Sequence, residues 1–270
     1  MNKYIVFGSG SIAIEIVNTL LSLKQQVIVI DSDYYDEGIK NDNLTVYKKK
    51  ISDDYFKDNL NLSEIKTLIV LAGKRFATNI DDTTSLLLGN KKVIEDVDAK
   101  TIMKVMEIRK IFDLNLHKSI RIIAEMIEER NERLFLDAGV DEIIPTDKLI
   151  EKIMVQMVFN EGIVSELILK LLTRNDKGYL SNITVTNNSE YKEFLGKTYD
   201  GLLKPLLEKG MQLIAINRTN NIETKGIISS TITDRFIINP VKESEKNYSL
   251  RDKDRLVVLK AVETSKQEDN

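Results

Sequence analysis

Short apolar runs alternate with amphipathic stretches through the first 150 residues. Tyr4-Ile5-Val6-Phe7 is apolar and closes at Gly8, the pattern of a strand running into a turn. From Ile12 to Leu23 the apolar spacing becomes helical, and Ile12, Ile16, Thr19, Leu20 and Leu23 can share one face. Val27-Ile28-Val29-Ile30 is apolar and β-branched throughout, as in a strand buried on both faces of a parallel sheet. Leu44-Thr45-Val46-Tyr47 predicts a weaker strand and Leu68-Ile69-Val70-Leu71-Ala72 a strong one. A helix is predicted over Ala99 to Phe112, and a strand over Ile120-Arg121-Ile122-Ile123-Ala124. Glu128 to Ala138 reads as a helix with Gly139 at its C-terminal cap. Glu142-Ile143-Ile144 is a last short strand, stopped by Pro145. Strands alternating with helices predict an α/β fold, a Rossmann-like doubly wound parallel sheet. The polar segment from Lys74 to Val97 fits the alternation badly and reads as an inserted loop with at most one helical turn.

Thr146 to Leu172 is helical again, with Asp147 near the N-cap and a break at Asn160-Glu161-Gly162. Its apolar residues run densely from Leu149 to Leu172, more than a solvated linker carries. They pack within their own chain or on another subunit. From Tyr179 the pattern changes. Strands are predicted at Leu180 to Thr186, Met211 to Arg218, Phe236 to Ile238 and Arg255 to Ala261, with a helix over Thr198 to Leu207. This is a small α+β C-terminal module. The expected division is residues 1–148 for the α/β domain, 149–178 for a helical crossover and 179–265 for the second module, before a polar tail.

Composition narrows the chemistry. Lys and Arg total 39 against 42 Asp and Glu, a net charge of −3, which argues against a broad nucleic-acid surface. The chain of 270 residues has no cysteine and one histidine, His117. Disulfides, thiolate metal sites, cysteine nucleophiles and centres needing several histidines are excluded. His117 itself reads as a surface-loop residue. No metal site is expected. No apolar run reaches the eighteen or so residues that cross a bilayer, and the first residues lack a signal peptide's apolar segment. The expectation is a soluble, cytoplasmic chain, either free-standing or part of something larger.

The chemical signal sits at the first turn. Gly8-Ser9-Gly10-Ser11-Ile12-Ala13 matches G-x-G-x-x-A, the dinucleotide fingerprint with Ala in its last place. The first glycine makes the tight turn, the second admits a phosphate against backbone, and the small Ala13 lets the helix close on the strand. Backbone N–H groups and the helix dipole then hold negative charge. Asp31 stands 21 residues after Gly10, at the end of the next strand, where an acid accepts from ribose hydroxyls and repels a 2′-phosphate. The candidate cofactor residues are Gly8, Ser9, Gly10, Ser11, Ile12, Asp31 and Ser32. NAD(H) or an adenine nucleotide (ATP, ADP or AMP) is favoured over NADP. A hydride-transfer enzyme needs a proton donor or acceptor near its substrate, and none is legible. A nucleotide site without a visible reaction centre fits a sensor; an NAD-dependent oxidoreductase of Rossmann type is the alternative.

The chain resembles the regulator of conductance of potassium family (RCK, also called KTN), cytosolic sensing domains of potassium channels and Trk/Ktr transporters. The resemblance rests on Tyr4 to Gly10, Val27 to Asp31, Asp98-Ala99-Lys100-Thr101-Ile102, Ile120 to Glu125 and Asp137-Ala138-Gly139-Val140-Asp141-Glu142-Ile143-Ile144. In the second half it rests on Phe194 to Thr198, Leu213 to Arg218, Ile237 to Pro240 and Leu250 to Val258. It implies no catalysis, a homodimer built on the crossover, in many members an octameric ring of four dimers, and a membrane potassium channel or transporter as partner. Gly73 and Lys74 would border the adenosine. A second ligand, cyclic di-AMP in some relatives, would meet Ile216, Arg218, Ile238 and Pro240 in the C-module, with Arg218 as phosphate partner. Three departures stand out. Lys49-Lys50 replaces the Gly-Asp of many relatives after the third strand. Ile127 stands where calcium-gated relatives have the second glutamate of E-x-E after Glu125, which argues against calcium there. The segments Lys74 to Val97 and Thr219 to Asp234 exceed the family's usual lengths.

Overall fold

The chain is described by a computed structural model, over residues 2–32, 41–49, 60–72, 91–112, 120–159, 164–172, 179–218 and 236–260. These residues form two compact units, one up to Glu151 and one from Lys152.

The first unit is built on a six-stranded parallel sheet. Strands β1 (Lys3–Phe7), β2 (Gln26–Ile30), β3 (Leu44–Tyr47), β4 (Ile65–Val70), β5 (Arg121–Met126) and β6 (Glu142–Pro145) lie in the order β3-β2-β1-β4-β5-β6. The period of two sorts their side chains onto two faces. Val6, Val27 and Val29 point to one face and pack with Ala13, Val17 and Leu21 of helix α1 (Ser11–Ser22). Ile5, Phe7, Ile28 and Ile30 point to the other and pack with Val105, Ile108 and Phe112, from helix α2 (Lys91–Ile111) and the residue after it, and with Phe135 of α3 (Glu132–Asp137). Both faces are covered, which is why the strands read as unbroken apolar runs.

Three details depart from the sequence reading. The buried stripe of α1 is Ala13, Val17 and Leu21, and Ile12 is half exposed. The stripe is offset because Ala13 is the residue small enough to let the helix sit close to β1. Helix α2 begins at Lys91, inside the stretch taken for a loop. Val93, Val97, Thr101 and Val105 carry the i, i+4 spacing back through that polar segment; residues 73–90 lie outside the described part. Glu129–Asn131 forms a 3₁₀ turn, and only Glu132–Asp137 is α-helical.

Helix α4 (Thr146–Phe159) follows β6 directly and carries no buried residue. Val158 and Phe159 are each 78% exposed. Helix α5 (Val164–Leu172) exposes Leu167, Leu169 and Leu172.

The second unit holds an antiparallel sheet in the order β7-β10-β8-β9, from β7 (Tyr179–Thr184), β8 (Met211–Asn217), β9 (Phe236–Ile237) and β10 (Arg255–Lys260). Helix α6 (Tyr199–Glu208) is capped by Thr198, whose hydroxyl accepts from the Gly201 amide at 3.3 Å. Tyr199, Leu202 and Leu206 face Phe194, Leu213, Ile216, Leu256 and Val258 in its core. A short helix α7 (Glu243–Lys246) precedes β10. Strands β7, β8 and β9 end one or two residues before the predicted ends at Thr186, Arg218 and Ile238.

Candidate functional site

In the first sheet the chain winds outward from β1 to β3, then returns past β1 to begin β4. The C-terminal end of β1 is therefore the topological switch point, where open α/β sheets bind ligands. The turn Gly8 to Ser11 emerges there. Gly8 has φ +150°, and a Cβ on it would stand 2.9 Å from Cβ of Leu71. Gly10 has φ +118° and serves as the N-cap of α1. No side chain caps this helix, and no acidic residue occupies its first turn. Its first N–H groups and the positive end of its dipole meet the crevice without a carboxylate of their own, which suits a phosphate. Ser9 is half-buried, while Ser11 and Ile12 are exposed.

Asp31 leaves β2 beside the same crevice, and its amide donates to the Tyr47 carbonyl at 3.2 Å. Its side chain is half-buried, and Ser32 beyond it is exposed. Lys104, unforeseen from the sequence, lies on the inward stripe of α2 between Thr101 and Ile108, within electrostatic reach of Asp31 and Glu107. Burial holds its ammonium below the usual lysine value, against the pull of those two acids. Gly73 and Lys74 lie outside the described residues, as does His117. Ala72 just before them is anchored: its amide donates to Oε2 of Glu125 at 3.0 Å, and the Thr146 hydroxyl donates to Oε1 at 3.0 Å.

The family motifs turn out to be joints of the fold. Asp98 is fully buried, and its carboxylate accepts from the amides of Ile127 and Glu128 at 2.9 Å and from Asn131 Nδ2 at 2.8 Å. It ties the second turn of α2 to the turn after β5. Asp141 exchanges bonds with Ile122: its carboxylate and its amide each bond the Ile122 backbone at 2.9 Å. Gly139 sits at φ +93°, and its carbonyl accepts from Nε and Nη2 of Arg109. A side chain there would collide with that guanidinium. Both oxygens of Glu125 already bear hydrogen bonds, so it is not presented as a cation ligand. Among the described residues no group of three or more His, Cys, Asp and Glu could hold a metal ion.

In the second unit, Ile216 is fully buried and belongs to the core, which corrects its reading as a ligand-contacting side chain. Arg218 follows β8 immediately. Ile216 pairs with Ile237 and Asn217 with Phe236, so the antiparallel register carries Ile238 and Pro240 back along β8, away from Arg218. Within one copy these three are not gathered. The neighbours of Arg218 are instead Tyr248 and Arg251. The guanidinium carbons of Arg218 and Arg251 stand 5.6 and 5.3 Å from the Tyr248 ring centre.

A family model for the TrkA-N domain matches residues 4–146, just over half of the chain. The chain belongs to this family. Its N-terminal unit is thus a TrkA-N domain, the nucleotide-binding fold of the RCK/KTN group. The calcium-gated potassium channel TvoK of Thermoplasma volcanium is 30% identical over 88 residues, 32% of this chain and 24% of the relative. The human SLO3 gating ring superposes on 96% of this chain and 44% of its own at 13% identity, with a TM-score of 0.61. That likeness supports the architecture of a TrkA-N domain followed by a second module. The GsuK channel bound to NAD aligns over 97% of this chain and 36% of its own at 16% identity, with a TM-score of 0.41, too distant to bear on the ligand here. The chain spans less than half the length of these relatives.

Proposed function

We propose that the chain is a cytosolic ligand-sensing regulatory unit that controls a potassium channel or transporter, and that it is not an enzyme. The observation that supports this most directly is the glycine turn at the switch point, an open helix N-terminus facing Asp31. It offers donors for phosphate and an acceptor for ribose, the contacts an adenine nucleotide needs. Gly8, Ser9, Gly10, Ser11 and Ile12 would hold the phosphates, while Asp31 and Ser32 would meet the ribose; Gly73 and Lys74 would border the adenosine. NAD(H), ATP, ADP and AMP all present that chemistry. No helix of the described residues is long and apolar enough to cross a membrane, so the pore would be supplied by another segment or subunit. The exposed apolar residues of α4 and α5 would meet a second copy, giving a homodimer and, with further copies, a ring. Nucleotide binding would favour one dimer geometry, and its differential affinity would bias the pore. A second ligand in the C-module, cyclic di-AMP, would be shared between copies, since one copy does not bring Arg218, Ile238 and Pro240 together.

The test is thermal stability of the chain with NAD, NADH, ATP, ADP, AMP, cyclic di-AMP and calcium. At 100 times its dissociation constant a nucleotide stabilises by about 2.7 kcal/mol. The response should vanish in Gly10→Val. Absence of any nucleotide response, or turnover of reduced NAD with a substrate, would overturn the proposal.

A further inference from the structure

The C-module carries a side-chain cluster that the nucleotide reading leaves unused. Arg218, immediately after β8, and Arg251, four residues before β10, both lie against the ring of Tyr248. The neighbouring strands β8 and β10 pair Asn217 with Arg255, so the cluster sits at one end of the sheet. The ring is fixed by its hydroxyl, which donates to Oδ2 of Asp254 at 2.7 Å. That same oxygen accepts the amide of Arg251 at 2.8 Å. Asp254 is buried, and its oxygen is spent on holding the platform. Among the described residues, neither guanidinium has a carboxylate partner. Nε of Arg218 is buried and has no hydrogen-bond partner at all.

A buried N–H without an acceptor is costly. Stacking on tyrosine offsets part of that cost through the cation–π attraction. It supplies no acceptor. A phosphate-type oxyanion would do both jobs, accepting from the planar forks and neutralising the pair.

We propose that Arg218, Arg251 and the Tyr248 platform form a phosphate-binding site within a single copy of the C-module. The proposal rests on reading that module as ligand-binding and adds Arg251 and Tyr248, neither of which belongs to the two-copy arrangement. The anion is free phosphate or the phosphodiester of a nucleotide; both present the same oxygens.

The experiment titrates the full chain with inorganic phosphate and, separately, with cyclic di-AMP, following heat of binding and melting temperature. Phosphate should bind saturably, at one site per chain and independently of protein concentration. Arg218→Gln and Arg251→Gln should each weaken it about tenfold, the loss of one charge-assisted pair. Tyr248→Phe should retain binding and Tyr248→Leu should lose it, because the ring and not the hydroxyl is the platform. If cyclic di-AMP is the source, its affinity should fall with Arg251→Gln as well as with Arg218→Gln. Phosphate binding unchanged in the Arg218→Gln/Arg251→Gln double variant, or cyclic di-AMP binding lost with Arg218 alone, would overturn the site. NAD or AMP binding measured on the same variants reports the N-terminal site separately, so failure of one reading is distinguishable from failure of the other.

Discussion

The two proposed anion sites would be built from different materials. In the TrkA-N domain the donors are main-chain amides, set by two glycines and a helix end, with one carboxylate alongside. In the C-module they are side chains, two arginines on a tyrosine held by a buried aspartate. Backbone sites are rigid because the sheet fixes them, and this one has no room for a Cβ at Gly8, where Leu71 stands 2.9 Å away. Side-chain sites depend on a platform, and each member can be removed while the fold survives. The module with the side-chain site is therefore the one whose binding should be adjustable by single substitutions, while the glycine turn should fail as a unit.

The largest expected effect lies in the joint beneath the first site. Asp98→Ala leaves the amides of Ile127 and Glu128 and the Asn131 side chain without their acceptor and should cost about 3–5 kcal/mol of stability, read by denaturant unfolding. Phosphate affinity of the C-module should survive wherever that module remains folded. Gly8→Ala is next. Positive φ and the close approach to Leu71 should cost about 2–3 kcal/mol and abolish nucleotide stabilisation, whereas phosphate binding is retained. A variant that kept full nucleotide affinity would break the claim that the turn acts as a unit.

Smaller effects sharpen the contrast through pH. The lowered Lys104 means the folded chain releases that proton before the unfolded chain does. Stability from this group therefore rises with pH up to about the ordinary lysine value of 10.5. Lys104→Met should raise the melting temperature at neutral pH, remove that rise, and weaken nucleotide binding through Asp31, which loses its counter-charge. Tyr248 works in the opposite direction. Burial and donation to Asp254 push its hydroxyl well above the ordinary 10.0, so the unfolded chain deprotonates first. Its contribution is full below about pH 10 and is lost as pH climbs beyond that value toward the raised one. Tyr248→Phe should cost about 1 kcal/mol at neutral pH and blunt the alkaline loss, measured by melting temperature across pH 8 to 11.

Much of the N-terminal unit was legible in advance because its determinants are local. A parallel strand buried on both faces must be apolar throughout, so Val27 to Ile30 announced itself. A turn with positive φ favours glycine, so Gly8 and Gly10 marked the turn at the proposed site, and the place of Asp31 followed from strand length. The start of α2 was missed because its first turns are polar and only the i, i+4 spacing through Val93 and Val97 betrays it. Asp98, Arg109, Gly139 and Asp141 were visible as family motifs. Their work as joints was not, since each bonds residues 19 to 33 positions away.

What the sequence by itself determined is the alternation, the switch-point turn and the choice of an acid at the end of β2. These are set by backbone geometry and burial, which act over a few residues and leave a pattern in the residues themselves. Only the tertiary structure decided that Ile216 belongs to the core, that Ile238 and Pro240 run away from Arg218, that Lys104 lies within electrostatic reach of Asp31, and that two arginines meet on Tyr248. Those facts depend on which strand pairs with which and in what register. No local spacing encodes them, because the partners are distant along the chain and come together only when the sheets close.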